Sequence, residues 1–161
     1  MKITRREFFT KTIQGAVLVI IPSALGSFLE SCNNQSTNPT NSTNPGSQMP
    51  NINANLSNGS ISLSIDSSSP LASTGTAALI NYHSGSLLVD HPSGNTFNAL
   101  SSVCTHQGCI VNGFDSSSGQ FVCPCHGSRY DVNGKVTQGP AAAPLTKYQT
   151  QFSDNVLIIK V

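Results

Sequence analysis

Charge is scarce in this chain. Only 9% of its 161 residues are Asp, Glu, Lys or Arg, aromatics make up 6%, and Trp is absent. Half of the eight basic residues (Lys2, Arg5, Arg6 and Lys11) lie in the first eleven positions. From Asn33 onward four basic residues (Arg129, Lys135, Lys147, Lys160) face five acids (Asp66, Asp90, Asp115, Asp131, Asp154), a net of −1. With no basic patch in its body, the protein is not built to bind a nucleic-acid backbone. A coiled coil is excluded too, since that fold is rich in Glu, Lys, Leu and Ala. No stretch after residue 57 keeps an i, i+3, i+4 apolar pattern, and there is no internal repeat. What remains is a body rich in Ser, Asn, Thr and Gly, a composition that favours strands and turns.

The first 31 residues read as an address. A basic start precedes Thr12 to Leu29, an uncharged run of eighteen residues, which is the layout of an export signal. Thr4-Arg5-Arg6-Glu7-Phe8-Phe9, with Lys11 behind it, resembles the twin-arginine signal S/T-R-R-x-F-x-x-K. That route carries folded proteins, so a cofactor inserted in the cytoplasm travels along. Leu29-Glu30-Ser31-Cys32 resembles a lipobox with Cys32 as the lipidation site, although Glu30 replaces the usual small residue. The alternative is a retained membrane helix, for which the run is near the required length of ~20 residues. Either way the body is expected at the outer, periplasmic face of the cytoplasmic membrane.

Residues 32–57 are Asn, Ser, Thr and Pro with few apolar side chains, and are expected to be a flexible tether. Residues 58–161 are expected to be one all-β domain. Ile61, Leu63 and Ile65 alternate with serines. Ala77 to Ile80, Leu87 to Val89, Thr96 to Val103, Gly119 to Val122, Lys135 to Thr137, Leu145 to Phe152 and Val156 to Val161 supply further strands. His83 and His91 flank turns and are expected at the surface.

Two loops carry the chemistry. The first is Cys104-Thr105-His106-Gln107-Gly108-Cys109 and the second Cys123-Pro124-Cys125-His126-Gly127-Ser128, with sixteen residues between His106 and Cys123. Two thiolates and two imidazoles make a four-ligand set for a borderline-soft metal, with a second Cys left in each loop. Three readings fit. Structural zinc is one, although only Cys104 and Cys109 have the usual C-x2–4-C spacing. Two disulfides in a small exported domain are another. The third is a [2Fe–2S] centre with two Cys on one iron and two His on the other.

The loop pair resembles the signature of the Rieske family, C-x-H-x-G-C … C-x-C-H-x-S/G, with all six positions present. The resemblance spans about residues 60–161. It implies a Rieske-type antiparallel β-sandwich of three stacked sheets, with a small cluster-binding subdomain. It implies a [2Fe–2S] cluster held by Cys104 and Cys123 on one iron and by His106 and His126 on the other. It also implies a disulfide between Cys109 and Cys125. Gly127-Ser128-Arg129-Tyr130 looks like the family's high-potential form. There Ser128 gives its hydroxyl to a bridging sulfide and Tyr130 to the sulfur of Cys104. Neutral His ligands place such centres at about −150 to +300 mV, and hydrogen bonds to sulfur raise the potential further. Gly139-Pro140-Ala141-Ala142-Ala143-Pro144 resembles the proline loop G-P-A-P that covers the cluster, with two extra alanines.

The job implied is one-electron transfer. The favoured role is the Rieske subunit of a quinol:cytochrome c oxidoreductase of the cytochrome bc type, in which His126 takes the quinol proton. A membrane-tethered carrier and the small subunit of an arsenite-oxidase-type molybdoenzyme are the alternatives. Partners would be cytochrome b- or c-type proteins, or a molybdoenzyme large subunit, with no nucleic acid.

Overall fold

The computed structural model describes residues 46–161, so the leader, Cys32 and most of the expected tether lie outside the described residues. Thirteen strands follow in chain order among the described residues. They are β1 (Ser47–Gln48), β2 (Asn51–Asn53), β3 (Leu56–Ser57), β4 (Ser60–Ser64), β5 (Thr76–Tyr82), β6 (Gly85–Ser93) and β7 (Thr96–Ser101). Next come β8 (Gly113–Asp115), β9 (Gln120–Val122), β10 (Arg129–Asp131), β11 (Val136–Gln138), β12 (Lys147–Ser153) and β13 (Val156–Lys160). The expected strands all appear. β8 and β10, each of three residues, were hidden inside the loop-like stretch around the cysteines.

The strands form two hydrogen-bonded sheets. The smaller runs β1-β8-β9-β10-β11 and the larger β2-β5-β6-β7-β12-β13-β4-β3. The larger one turns at β12, whose first residues Lys147 and Tyr148 pair with β7 while Gln149–Ser153 pair with β13. Its edge strands β2 and β3 are adjacent in the chain, so the base is a strongly curled sheet. Packing therefore has three layers, as expected. One pairing departs from the expected antiparallel pattern, since β2 runs parallel to β5.

The middle layer β5-β6-β7 shows why the sequence stacks this way. Its strands carry unbroken buried runs, Ala77 to Ile80, Leu87 to His91 and Phe97 to Leu100, the mark of a sheet covered on both faces. Leu79, Leu88 and Leu100 face a core shared with Phe121, Tyr130, Cys104 and Cys123. Ile80, Leu87, Val89 and Ala99 face the other core with Ile61, Leu71, Leu157 and Ile159. By contrast, β4 reads Ser-Ile-Ser-Leu-Ser and buries only its two apolar residues.

Two expectations need correction. The tether was drawn to residue 57, yet ordered pairing begins at Ser47. β1 joins the smaller sheet against β8, and β2 and β3 close the two edges of the larger one. Met49 between them is 4% exposed and sits in the core beside the cysteines. One buried Met and three edge strands offset the ordering cost that composition alone made prohibitive. The second correction is His91, which is buried where a surface residue was expected. Its Nδ1 lies 2.9 Å from the Leu71 carbonyl, its Nε2 meets the Gly94 carbonyl, and its ring stacks on Phe97 at 4.2 Å. His83 is exposed, as expected.

Candidate metal centre

The first cysteine loop lies between β7 of the larger sheet and β8 of the smaller, the second between β9 and β10 of the smaller, and the two have one backbone design. In the first, Cys104 N–H donates to Cys109 O and Gly108 N–H to Cys104 O, each at 2.8 Å. In the second, Cys123 N–H donates to Ser128 O at 2.9 Å and Gly127 N–H to Cys123 O at 3.0 Å. The fifth residue of each is glycine at positive φ, 76° for Gly108 and 75° for Gly127, a conformation that strains other L-residues. A bridge between Val103 and Ile110 closes the first loop, and the β9–β10 pair Val122–Arg129 closes the second. The Cys109–Cys125 disulfide then joins them, with Cα atoms 6.5 Å apart.

The remaining thiols, Cys104 and Cys123, are buried at 2% and 0% exposure. Burial pushes the Cys104 thiol up, but hydrogen bonds from Tyr130, the His106 backbone, Cys123 and Ser128 outweigh it and hold it below its ordinary value. Burial raises the Cys123 thiol. His106 and His126 set their rings at right angles, 4.7 Å between centroids. His126 is exposed, and His106 is half-buried with a buried Nδ1 that has no hydrogen-bond partner. A buried ring nitrogen without a partner is costly unless something else binds it. The donors stand as a thiol pair and an imidazole pair, the two-Cys, two-His set of a [2Fe–2S] centre.

Two buried hydroxyls flank the thiols. Tyr130, on β10, places its hydroxyl 3.2 Å from Cys104 Sγ. It accepts the Thr105 N–H at 3.2 Å, which leaves its own hydrogen for sulfur or for Thr105 Oγ1 at 3.0 Å. Ser128 Oγ accepts the Ala141 N–H at 3.0 Å, so its hydrogen also remains to be donated. Burial, then the Cys104 contact, raises the Tyr130 phenol above its ordinary value. The loop from Gly139 to Pro144 lies over the site. Ala141 is its buried contact, and the Thr105 hydroxyl donates to the Ala143 carbonyl. Gln138 Nε2 adds a donor to Gly127 O at 3.2 Å. Thr105 and Gln138 were not singled out from the sequence. Thr105 sits inside the motif as an unspecified position, and nothing in sequence spacing marks a β11 side chain as a neighbour of Gly127.

The model of the Rieske [2Fe-2S] domain matches residues 64–149 of this chain. The chain belongs to the Rieske [2Fe-2S] family. Its cofactor is accordingly a Rieske-type [2Fe–2S] cluster, and the paired donors and the partnerless His106 Nδ1 fit that group. It is 42% identical over 74 residues to the cytochrome b6-f complex iron-sulfur subunit of Prochlorococcus marinus (strain MIT 9215), covering 46% of this Rieske chain and 41% of that one. Against the subunit of the same name from Chlorobaculum tepidum it is 35% identical over 75 residues, 47% of this chain and 40% of that one. The chain thus spans less than half the length of these curated relatives. Among solved structures, the cyanobacterial plasma membrane Rieske protein PetC3 from Synechocystis PCC 6803 is 40% identical. That match covers 53% of this chain and 86% of the other at a TM-score of 0.47.

Proposed function

We propose that this is an exported, high-potential Rieske protein that passes single electrons as the iron–sulfur subunit of a quinol-oxidising, cytochrome b-containing complex. The observation that carries the reading is the pair of buried hydroxyls, Ser128 and Tyr130, each with its oxygen already accepting a backbone N–H beside the thiol pair. Cys104 and Cys123 would hold one iron and His106 and His126 the other. A [2Fe–2S] cluster bound there takes up and returns one electron. Donated hydrogen bonds withdraw electron density from sulfur and favour the reduced state. The relatives named as cytochrome b6-f subunits support the partner, a cytochrome b-type protein.

His126 supplies the chemical step. It is the exposed member of the imidazole pair, so a quinol hydroxyl can reach it and hand over a proton at its free ring nitrogen. His106 is half-buried and less accessible. Val103 and Ile110 are 48% and 43% exposed, and Pro124, Pro140 and Pro144 lie open. The twin-arginine motif and Cys32 support attachment at the outer face of the cytoplasmic membrane.

The test is a redox titration of the oxidised holoprotein followed by circular dichroism across pH. The expected result is a positive midpoint potential that falls as pH rises past neutrality. Tyr130→Phe should lower the midpoint while leaving the cluster in place. A low, pH-independent midpoint would overturn the reading.

A further inference from the structure

The covering loop has a closed neck. Leu145 N–H donates to Gly134 O at 2.8 Å. A Cβ at Gly134, whose φ is +82°, would stand 2.9 Å from the Leu145 carbonyl oxygen, so only glycine lets the two strands of the neck meet. Beside this neck Lys147 Nζ donates to Asn133 Oδ1 in the β10–β11 turn and to Asn98 Oδ1 on β7, both at 3.1 Å. Asn98 Nδ2 in turn donates to Asp90 Oδ2 at 3.1 Å. Asp90 is 1% exposed, and its other oxygen has no hydrogen-bond partner. An amide thus stands between a buried carboxylate and an ammonium, polarised from both ends. The chain of contacts crosses from the base sheet to the cluster sheet.

We propose that Asp90, Asn98, Lys147 and Asn133 form a neck lock that positions the covering loop, and that Asp90 is the group through which pH sets its hold. Lys147 is a positioning residue. It fixes the loop, whose Ala141 N–H fixes the Ser128 hydroxyl. The effect on potential rests on the reading of Ser128 as a donor to the cluster.

The groups around Asp90 decide the sign. Ala77 on β5 and Asn98 on β7 are its paired neighbours in the sheet, Lys147 on β12 lies beyond Asn98, and His91 adjoins it on β6. In the β10–β11 turn, Asp131 accepts the Asn133 and Lys135 N–H groups at 2.9 Å. Burial pushes the Asp90 carboxyl up to about 6, while Asn98, Lys147 and His91 pull it down. Opening the neck removes Lys147 from that balance, so protonation of Asp90 favours the open neck.

Hydrogen–deuterium exchange of the full-length holoprotein tests this on peptides spanning 132–147. Asn133→Ala removes an acceptor without changing net charge, and Lys147→Met removes the donor. Each should speed exchange at Gly134 and Leu145 about tenfold at pH 7.5, the scale of one lost charge-assisted bond. Wild type should show the same opening between pH 7.5 and pH 5, beyond the intrinsic exchange trend, and Asp90→Asn should abolish that step. Asn133→Ala should also lower the midpoint, by less than Ser128→Ala does. Exchange within twofold of wild type in both neck variants would overturn the lock, and a pH step that survives Asp90→Asn would overturn its sensor. Faster exchange with an unmoved midpoint would overturn the coupling to Ser128. If Ser128→Ala itself left the midpoint unmoved, the tuning reading would fall, and exchange alone would judge the lock.

Discussion

The cluster end and the base of this molecule are built on opposite economies. The base has strands of up to nine residues, with cores of Ile, Leu, Val and Phe on both faces of its middle layer. In the cluster sheet no strand exceeds three residues. That sheet is held by cross-links instead: a disulfide, the Arg129–Asp115 ion pair at 3.3 Å, and side chain-to-backbone hydrogen bonds. A metal centre needs short, tightly curved loops whose backbone bends toward the ligand, and long strands cannot provide them. Rigidity at the site is therefore supplied locally by cross-links and from below by the base.

Four perturbations should separate the two economies, in falling order of effect. Replacing both Cys109 and Cys125 by Ser removes the link between the loops. A closed loop of this size is worth ~3 kcal/mol, so the variant should unfold at lower denaturant and lose its cluster first. Retention of a wild-type cluster lifetime would show that the base alone holds the site. The next largest loss is expected from starting the chain at residue 58. This deletes β1, β2, β3 and Met49, and burial of one Met side chain is worth ~1.5–3 kcal/mol. A chain starting at residue 46 should melt like the full protein. Equal melting of the two truncations would return residues 46–57 to the tether.

Asp90→Asn should act on the base and depend on pH. The folded Asp90 carboxyl stands at about 6, above the usual 3.8. Its contribution to stability is therefore full below 3.8 and is lost as pH rises through 6. Converted at ~1.4 kcal/mol per unit, the penalty at pH 7.5 is on the order of 3 kcal/mol, of which a buried amide recovers part. The variant should be more stable than wild type at pH 7.5 and equal to it near pH 3.5, read by denaturant unfolding at both values. A gain that did not vary with pH would rule out relief of a buried charge. The smallest change is expected from Arg129→Met, which breaks the ion pair with Asp115. Its effect on melting should shrink further in high salt, and a large salt-resistant loss would give the pair a role that packing does not show.

Much of the site was legible because its chemistry needs particular atoms at short range along the chain. Cys104 with His106, and Cys123 with His126, are each within three positions, so local motif and local geometry coincide. Ser128 and Tyr130 follow directly, and the structure places both beside Cys104. The strands of the base were legible from alternation and from unbroken apolar runs. The tether boundary was not. Ser47, Gln48 and Asn51 carry no apolar signal, and they become strands only because β8 and β5 offer free edges. His91 was misjudged for a related reason. A turn lies next to it in sequence, while the Leu71 carbonyl and the Phe97 ring that enclose it come from elsewhere in the chain.

By itself, then, the sequence determined the donor set, the all-β body, the family and the two hydroxyls beside the thiols, because each depends on residue type and short spacing. Tertiary structure decided the rest. It sorted four cysteines into one disulfide and one buried thiol pair. It left His126 exposed and His106 half-buried, and it brought Asp90, Lys147 and Asn133 into one chain of contacts across as many as 57 positions. Burial and hydrogen-bond partnership arise between strands distant in sequence, and no local pattern encodes them.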